Sequence, residues 1–244
     1  MILAAKTDRG LKRDNNQDSY SFGELATGAC YAIVCDGMGG AAEGATASRE
    51  CARIVRERIT SGYHDGMSDI SIKSLLYSAV EYANKYIYSI SLSDERYEGM
   101  GTTVVASIIT DSFIYIVHAG DSRAYLVNPE ENRINQLTRD HSVVQKMIED
   151  GEITESEAVN HPKKNLITRA VGVENNVRAD FCQEDVSPGD MLLICTDGLS
   201  NYLTADEILQ VASDRYCEEC INELVRMALR KGGSDNVTVV AVKI

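Results

Sequence analysis

An α+β fold is predicted by three observations on the 244-residue sequence. Strand-like runs follow one another across tight turns, helical runs come in consecutive pairs, and no regular strand–helix–strand alternation appears. Residues 2–6 form a short apolar strand, and residues 31–35 form another that ends at Asp36. Residues 45–60 place Ala45, Ala52, Val55 and Ile59 on one side of a helix. A stronger helix spans 70–91, where Leu75, Leu76, Ala79, Val80, Ala83, Ile87 and Ile90 keep the 3.6 period. The stretch TTVVASIITDSFIYIVHAGDSRAYLV is rich in β-branched and aromatic residues and breaks at Thr110-Asp111-Ser112 and at Gly120-Asp121. It predicts three strands in an antiparallel meander, with 133–138 as a fourth. Residues 141–172 are polar and mixed, with a short helix over 143–149, and read as an excursion from the main body. Strands return at 177–184 and 191–196, helices follow at 204–213 and 217–230, and a strand over 237–242 closes the chain. With no repeat, low-complexity tract or linker, residues 1–244 are expected to form one domain.

The charge balance narrows the function. The chain has 24 Lys and Arg against 37 Asp and Glu, a net charge of −13. A protein that neutralises phosphates along a nucleic acid needs a cationic face, so no nucleic-acid partner is expected. An anionic membrane surface is disfavoured in the same way. Divalent cations are not, because clustered carboxylates suit hard ions. Surface scaling gives roughly 11,000 Å² folded against roughly 39,000 Å² unfolded, enough burial for a real core. The seven cysteines are odd in number, and Cys30, Cys35, Cys182 and Cys195 lie in or beside apolar runs, which predicts buried free thiols in a reducing compartment. Cys217 and Cys220 form the single CxxC; with no second pair at zinc spacing, ordinary placement on a helix is preferred to a metal or redox role. The opening MILAAKTDRG is unlike a signal peptide, and no run approaches the ~20 apolar residues of a membrane span. A cytoplasmic protein with no membrane association is expected.

Four acids share a local pattern. Asp36 follows YAIVC and precedes GMGG, Asp121 follows IYIVHAG, Asp197 follows MLLICT and precedes Gly198, and Asp235 follows GGS just before the last strand. Each sits where the sheet fixes the backbone and a turn leaves the carboxylate accessible. Two readings stand: ordinary Asp-Gly turn chemistry, or convergence into a carboxylate-rich metal site for Mg²⁺ or Mn²⁺ rather than zinc. His64, His118, His141 and His161 form no HxH or HExxH. Gly37, after Asp36, lets the backbone approach an ion so that its carbonyl could serve as a ligand. No Walker motif or G-x-G-x-x-G is present. Arg13, in TDRGLKRDNNQD, offers a planar fork suited to phosphate, with a solvated surface Arg as its alternative.

Eight segments in order resemble the PPM, or type 2C, metal-dependent serine/threonine protein phosphatases in their compact bacterial form. They are TDRGLKRDNNQDSY, AIVCDGMGGAAEGATAS, GMGTTVVASII, VHAGDSRAYL, LTRDHSVV, NLITRAVG, LLICTDGLSNYL and GGSDNVTVVAV, spread along the chain from residue 7 to residue 242. The resemblance implies an α-β-β-α sandwich of two antiparallel sheets flanked by helix pairs, with a flap at about 141–172. It implies that Asp36 bridges two Mn²⁺ or Mg²⁺ ions, that the Gly37 carbonyl ligates one, and that Asp197 and Asp235 complete the other. Asp18 stands behind them, Asp121 with Asp197 forms a third position, and Arg13 grips the substrate phosphate. The implied reaction is attack on phosphorus, in line, by a hydroxide bridging the metals. The implied partners are phosphorylated proteins, including a cognate serine/threonine kinase and its substrates, and the implied state is a monomer. Asn236 belongs to the last motif but carries no catalytic assignment. The chain departs from the wider family at Met38, where eukaryotic members often carry a His proposed as general acid; leaving-group protonation then falls to water. It departs again at Ala41 and Ala45, where bacterial members often carry His and Glu. The alternatives are a noncatalytic pseudophosphatase-type binding module and a phosphatase for a small phosphorylated metabolite.

Overall fold

The computed structural model describes residues 1–25, 28–213 and 215–244, and the side chains at 41 and 42 lie outside that description. The chain opens with β1 (Ile2–Asp8), β2 (Asp18–Glu24) and β3 (Cys30–Met38), followed by α1 (Ala41–Gly62) and α2 (Asp69–Ser93). Next come β4 (Gly101–Thr102), β5 (Val104–Ile109), β6 (Phe113–Ala119), β7 (Arg123–Asn128) and β8 (Arg133–Gln136). Two short helices, α3 (Val143–Glu149) and α4 (Glu155–Ala158), precede β9 (Asp180–Asp185) and β10 (Met191–Cys195). The chain ends with α5 (Asp197–Ser200), α6 (Ala205–Ser213), α7 (Cys217–Arg230) and β11 (Val237–Lys243). No helix among the described residues is long and apolar enough to cross a membrane.

The strands form two antiparallel sheets. One has the order β1-β11-β10-β7-β8, the other β2-β3-β5-β6-β9 with β4 on β3. Helices α1 and α2 pack on the second sheet and α6 and α7 on the first, so the chain is an α-β-β-α sandwich. Three apolar layers result. Cys30, Ala32 and Val34 of β3 meet Val240 and Val242 of β11 between the sheets. Tyr31, Ile33 and Cys35, the alternate residues, face Val55 and Ile59 of α1 and Leu76 and Val80 of α2. On the far side Val239 and Ala241 meet Ile221, Leu224 and Val225 of α7. Central strands are thus apolar on both faces and read as continuous apolar runs rather than alternating ones. Each large side chain that is fully removed from water, such as Leu76 or Leu193, contributes on the order of 1.5–3 kcal/mol.

The predicted meander is corrected here. β5 and β6 pair, but the chain then crosses to the other sheet, where β7 pairs with β8 and β10. A buried bond between Ser122 Oγ and Thr103 Oγ1, 2.7 Å, anchors the crossing. The 120–122 turn looks alike in sequence whether the next strand stays or crosses, because both destinations are apolar. β2 lies outside the strands expected from the sequence, as do the short α4 and α5.

Antiparallel pairing brings the start of β2, the end of β3, the end of β6, the end of β10 and the start of β11 to one end of the sandwich, as the partners Asp18↔Asp36, Val104↔Ala119 and Cys195↔Val239 require. Residues 141–172 project beside that end. The pairs Thr102↔Val171 and Ser142↔Ile167 fasten them to the body and to one another.

Candidate metal centre

A cavity of about 270 Å³ at this end is lined by Arg13, Asp36, Gly37, Asp121, Asp197 and Asp235, with Met38 and Thr103 among its other walls. Six of the seven residues singled out in the sequence therefore face one space. The seventh, Asp18, lies behind it as the cross-strand partner of Asp36.

Hydroxyls hold these acids in place. The Asp36 backbone is clamped from both sides. Its N–H donates to Thr103 Oγ1 at 2.9 Å, and its carbonyl accepts from the Thr103 N–H and from Thr102 Oγ1, both at 2.9 Å. Asp18 belongs to one sheet but bonds to the other: its Oδ2 accepts from Thr238 Oγ1 at 2.7 Å and Thr196 Oγ1 at 3.0 Å. Asp197, at the start of α5, accepts from Asn201 Nδ2 at 2.9 Å. Asp235 accepts from its neighbour's N–H, Asn236, at 2.8 Å and from Arg13 Nη2 at 2.7 Å. Gly37 cannot carry a side chain, since a Cβ there would lie 2.1 Å from the Gly44 oxygen and 2.6 Å from the Gln17 oxygen. Gly37 therefore lines the cavity as bare backbone.

The carboxylates strain against one another. Burial, then repulsion from Asp18, Asp197, Asp121 and Asp235, raises Asp36 well above the usual carboxylate range. Burial pushes Asp18 up to about 7 despite its two threonine bonds. It raises Asp121 to about 7, with Asp197 adding repulsion, and Asp197 to about 6, with Asp235 adding repulsion. Arg13 is held charged by its bond to Asp235 and by the nearby Asp36 and Asp197. Asp18 Oδ1 is buried with no hydrogen-bond partner. Crowded acids around a small space, with an unpartnered carboxylate oxygen behind them, form an all-oxygen donor set. That set fits hard divalent cations, whose charge would relieve the repulsion.

A second cluster involves histidine. His118, His141 and Asp180 have ligand-type atoms within 4.8 Å of one another. A cation is already there: Arg169 Nη1 donates to Asp180 Oδ1 at 2.7 Å and lies 3.0 Å from His141 Nε2. His141 Nδ1 accepts from the Gly120 N–H at 3.1 Å, which puts the ring proton on Nε2, facing Asp180 Oδ2 at 3.1 Å. His118 stacks on His141 with centroids 4.7 Å apart, and burial lowers it to about 4. The cluster works as a brace that ties the entry of the 141–172 segment to β9 and to the turn before Asp121. The CxxC is likewise structural: Cys217 and Cys220 are buried, all seven cysteines are free thiols, and Cys217 Sγ donates to the Ala241 carbonyl at 3.5 Å.

The threonines are absent from the residues singled out in the sequence, and Asn236 stands in the last motif without a role. Thr103, Thr196 and Thr238 are buried polar residues inside or beside apolar strands. Only Thr196, directly before Asp197, carries a local signal; Thr103 and Thr238 reach their acids from other strands.

The family model described as Protein phosphatase 2C matches residues 11–231. The chain is 36% identical over 241 residues to the serine/threonine phosphatase stp of Listeria monocytogenes serotype 4b, covering 98% of this chain and 94% of that protein. It superposes on the serine/threonine phosphatase of S. agalactiae with a TM-score of 0.92 at 34% identity, covering 100% of this chain and 99% of that one. The catalytic domain of the serine threonine protein phosphatase PstP, solved in complex with 2 manganese ions, aligns with a TM-score of 0.87 at 33% identity, covering 99% and 97%.

Proposed function

The chain belongs to the protein phosphatase 2C family, and from that premise we propose that it hydrolyses phosphoserine and phosphothreonine esters of proteins at the cavity around Asp36. The observation that carries the reading is the convergence of Asp36, Asp121, Asp197 and Asp235 with Arg13 on one space. Asp36, the Gly37 carbonyl, Asp197 and Asp235 are the residues that would hold two Mn²⁺ or Mg²⁺ ions, and Asp121 with Asp197 would hold a third. When bound, such ions supply the Lewis acidity that acidifies water and offsets phosphoryl charge.

The chain's own groups do the rest. Arg13 has a half-exposed side chain and gives one N–H to Asp235, so the remaining fork can take phosphoryl oxygens. The threonine clamp on Asp36 and the threonine bonds to Asp18 fix the acids before substrate arrives, so they need not reorganise during reaction. Met38 has no proton to give, and no histidine is among the described residues that line the cavity, so leaving-group protonation falls to water. Residues 1–244 act as one catalytic unit and 141–172 as its flap. The substrates are phosphorylated proteins, a cognate kinase and its targets among them, approached by a monomer. A noncatalytic binding module is disfavoured because none of the acids is missing.

With Mn²⁺, the purified protein is expected to hydrolyse p-nitrophenyl phosphate and a phosphothreonine peptide, the peptide far more efficiently than a sugar phosphate. Asp36→Asn and Asp235→Ala should each lower kcat/KM by on the order of 100-fold or more. Wild-type rates in both variants would refute the site, and preference for the sugar phosphate would refute the substrate class.

A further inference from the structure

The segment that carries Arg13 has no regular structure of its own. Residues 9–17 form bends between β1 and β2, and residues 11–15 are exposed. A guanidinium on such a loop would sweep a wide volume unless the backbone were tied, and one side chain ties most of it. Asn236, only 4% exposed, uses every polar atom of its amide on this loop. Nδ2 donates to the carbonyls of Arg9 at 2.8 Å and Asn15 at 2.9 Å, and Oδ1 accepts from the Gln17 N–H at 2.8 Å. The three bonds fall on both sides of Arg13.

The same residue touches the Asp235 carboxylate and the turn beside Asp197. Its N–H donates to Asp235 Oδ1, and its carbonyl oxygen packs so closely on Gly198, beside Asp197, that a Cβ there would lie 1.9 Å away. Close packing of loop on turn continues at Gly10, where φ is +78° and a Cβ would lie 2.1 Å from the Asp235 oxygen. The Leu11 N–H adds a bond to the Gly233 carbonyl at 2.7 Å.

We infer that Asn236 is a positioning residue for phosphate recognition: it sets the distance between Arg13 and the Asp197–Asp235 pair. No other side chain has its combination of two donors and one acceptor at that length: Asp would turn two attractions into repulsions between oxygens, and Ser would reach neither carbonyl. The inference rests on the reading of Arg13 as the phosphate-gripping group.

The test is a double-mutant cycle with Mn²⁺ saturating. Arg13→Ala, Asn236→Ala and the double variant are compared for kcat and KM on a phosphothreonine peptide and for inhibition by inorganic phosphate. Mn²⁺ affinity and thermal midpoint are measured alongside. Asn236→Ala should raise KM and weaken phosphate inhibition by about tenfold, with kcat changed less and Mn²⁺ affinity kept within about threefold. The double variant should be no worse than Arg13→Ala within about twofold, because the two act through one contact. Multiplying effects, or an unchanged KM in Asn236→Ala, would overturn the inference. If Arg13→Ala leaves KM and phosphate inhibition unaltered, the reading of Arg13 fails instead. Should Asn236→Ala not fold, Asn236→Ser is carried through the same cycle, and additive behaviour there overturns the inference equally.

Discussion

At the scale of single residues, the acids are less informative than the hydroxyls beside them. Thr103 receives the Asp36 N–H, returns its own N–H to the Asp36 carbonyl and bonds Ser122. Thr103→Val keeps the shape but leaves the Asp36 N–H and Ser122 without that partner. The expected cost is about 1–3 kcal/mol in urea unfolding, with weaker Mn²⁺ binding by calorimetry. A variant as stable as wild type, with unchanged metal affinity, would contradict the clamp. A carboxylate beside a turn at a strand end is a local pattern, which made Asp36, Asp121, Asp197 and Asp235 legible as candidates; the resemblance, not the pattern, preferred metal binding to turn chemistry. Asn236 was not legible in this way. Its three loop partners lie 219 to 227 positions away in the chain, and nothing in the neighbouring sequence distinguishes an amide that spans such a gap from one that faces water.

At the scale of elements, α2 does more than cover a sheet. Its buried Asn84 donates through Nδ2 to the carbonyls of Glu174 and Asn175, at 3.0 and 3.1 Å, and accepts the Gly172 N–H at 2.7 Å. It thereby fixes the chain leaving the 141–172 segment. Asn84→Ala strands a buried N–H and two carbonyls, and should destabilise by about 2–3 kcal/mol in urea unfolding; a loss below half that would mean the loop is held otherwise. The 3.6 period exposed α2 plainly, because seven of its residues are buried along one stripe. β2 was illegible for the opposite reason. DSYSFGE is an edge strand with no fully buried residue, so neither alternation nor an apolar run marks it. The sheet assignment of β7 was hidden because it depends on what lies across the sandwich, not on the turn before it.

At the scale of the whole molecule, the net charge of −13 is not spread evenly in its effects. Asp18 and Asp121 are raised to about 7 and Asp197 to about 6, from an ordinary 3.8. Between those limits the metal-free folded chain binds more protons than the unfolded chain, so this cluster makes stability fall as pH rises from about 4 to about 7. Cations favour the deprotonated acids, so their stabilisation grows over the same window. The gap in thermal midpoint between Mn²⁺-loaded and chelator-treated protein should therefore widen from about pH 5 to about pH 7.5. A gap that stays constant or narrows would contradict the picture of mutually repelling acids. Asp18 grows from one sheet, yet its carboxylate is gripped by Thr196 and Thr238 of the other. The two sheets therefore cannot shear or splay at this end without pulling the site apart. A displacement of one sheet against the other at this end has to break those two bonds, so the cavity and the seam between the sheets are held by the same contacts.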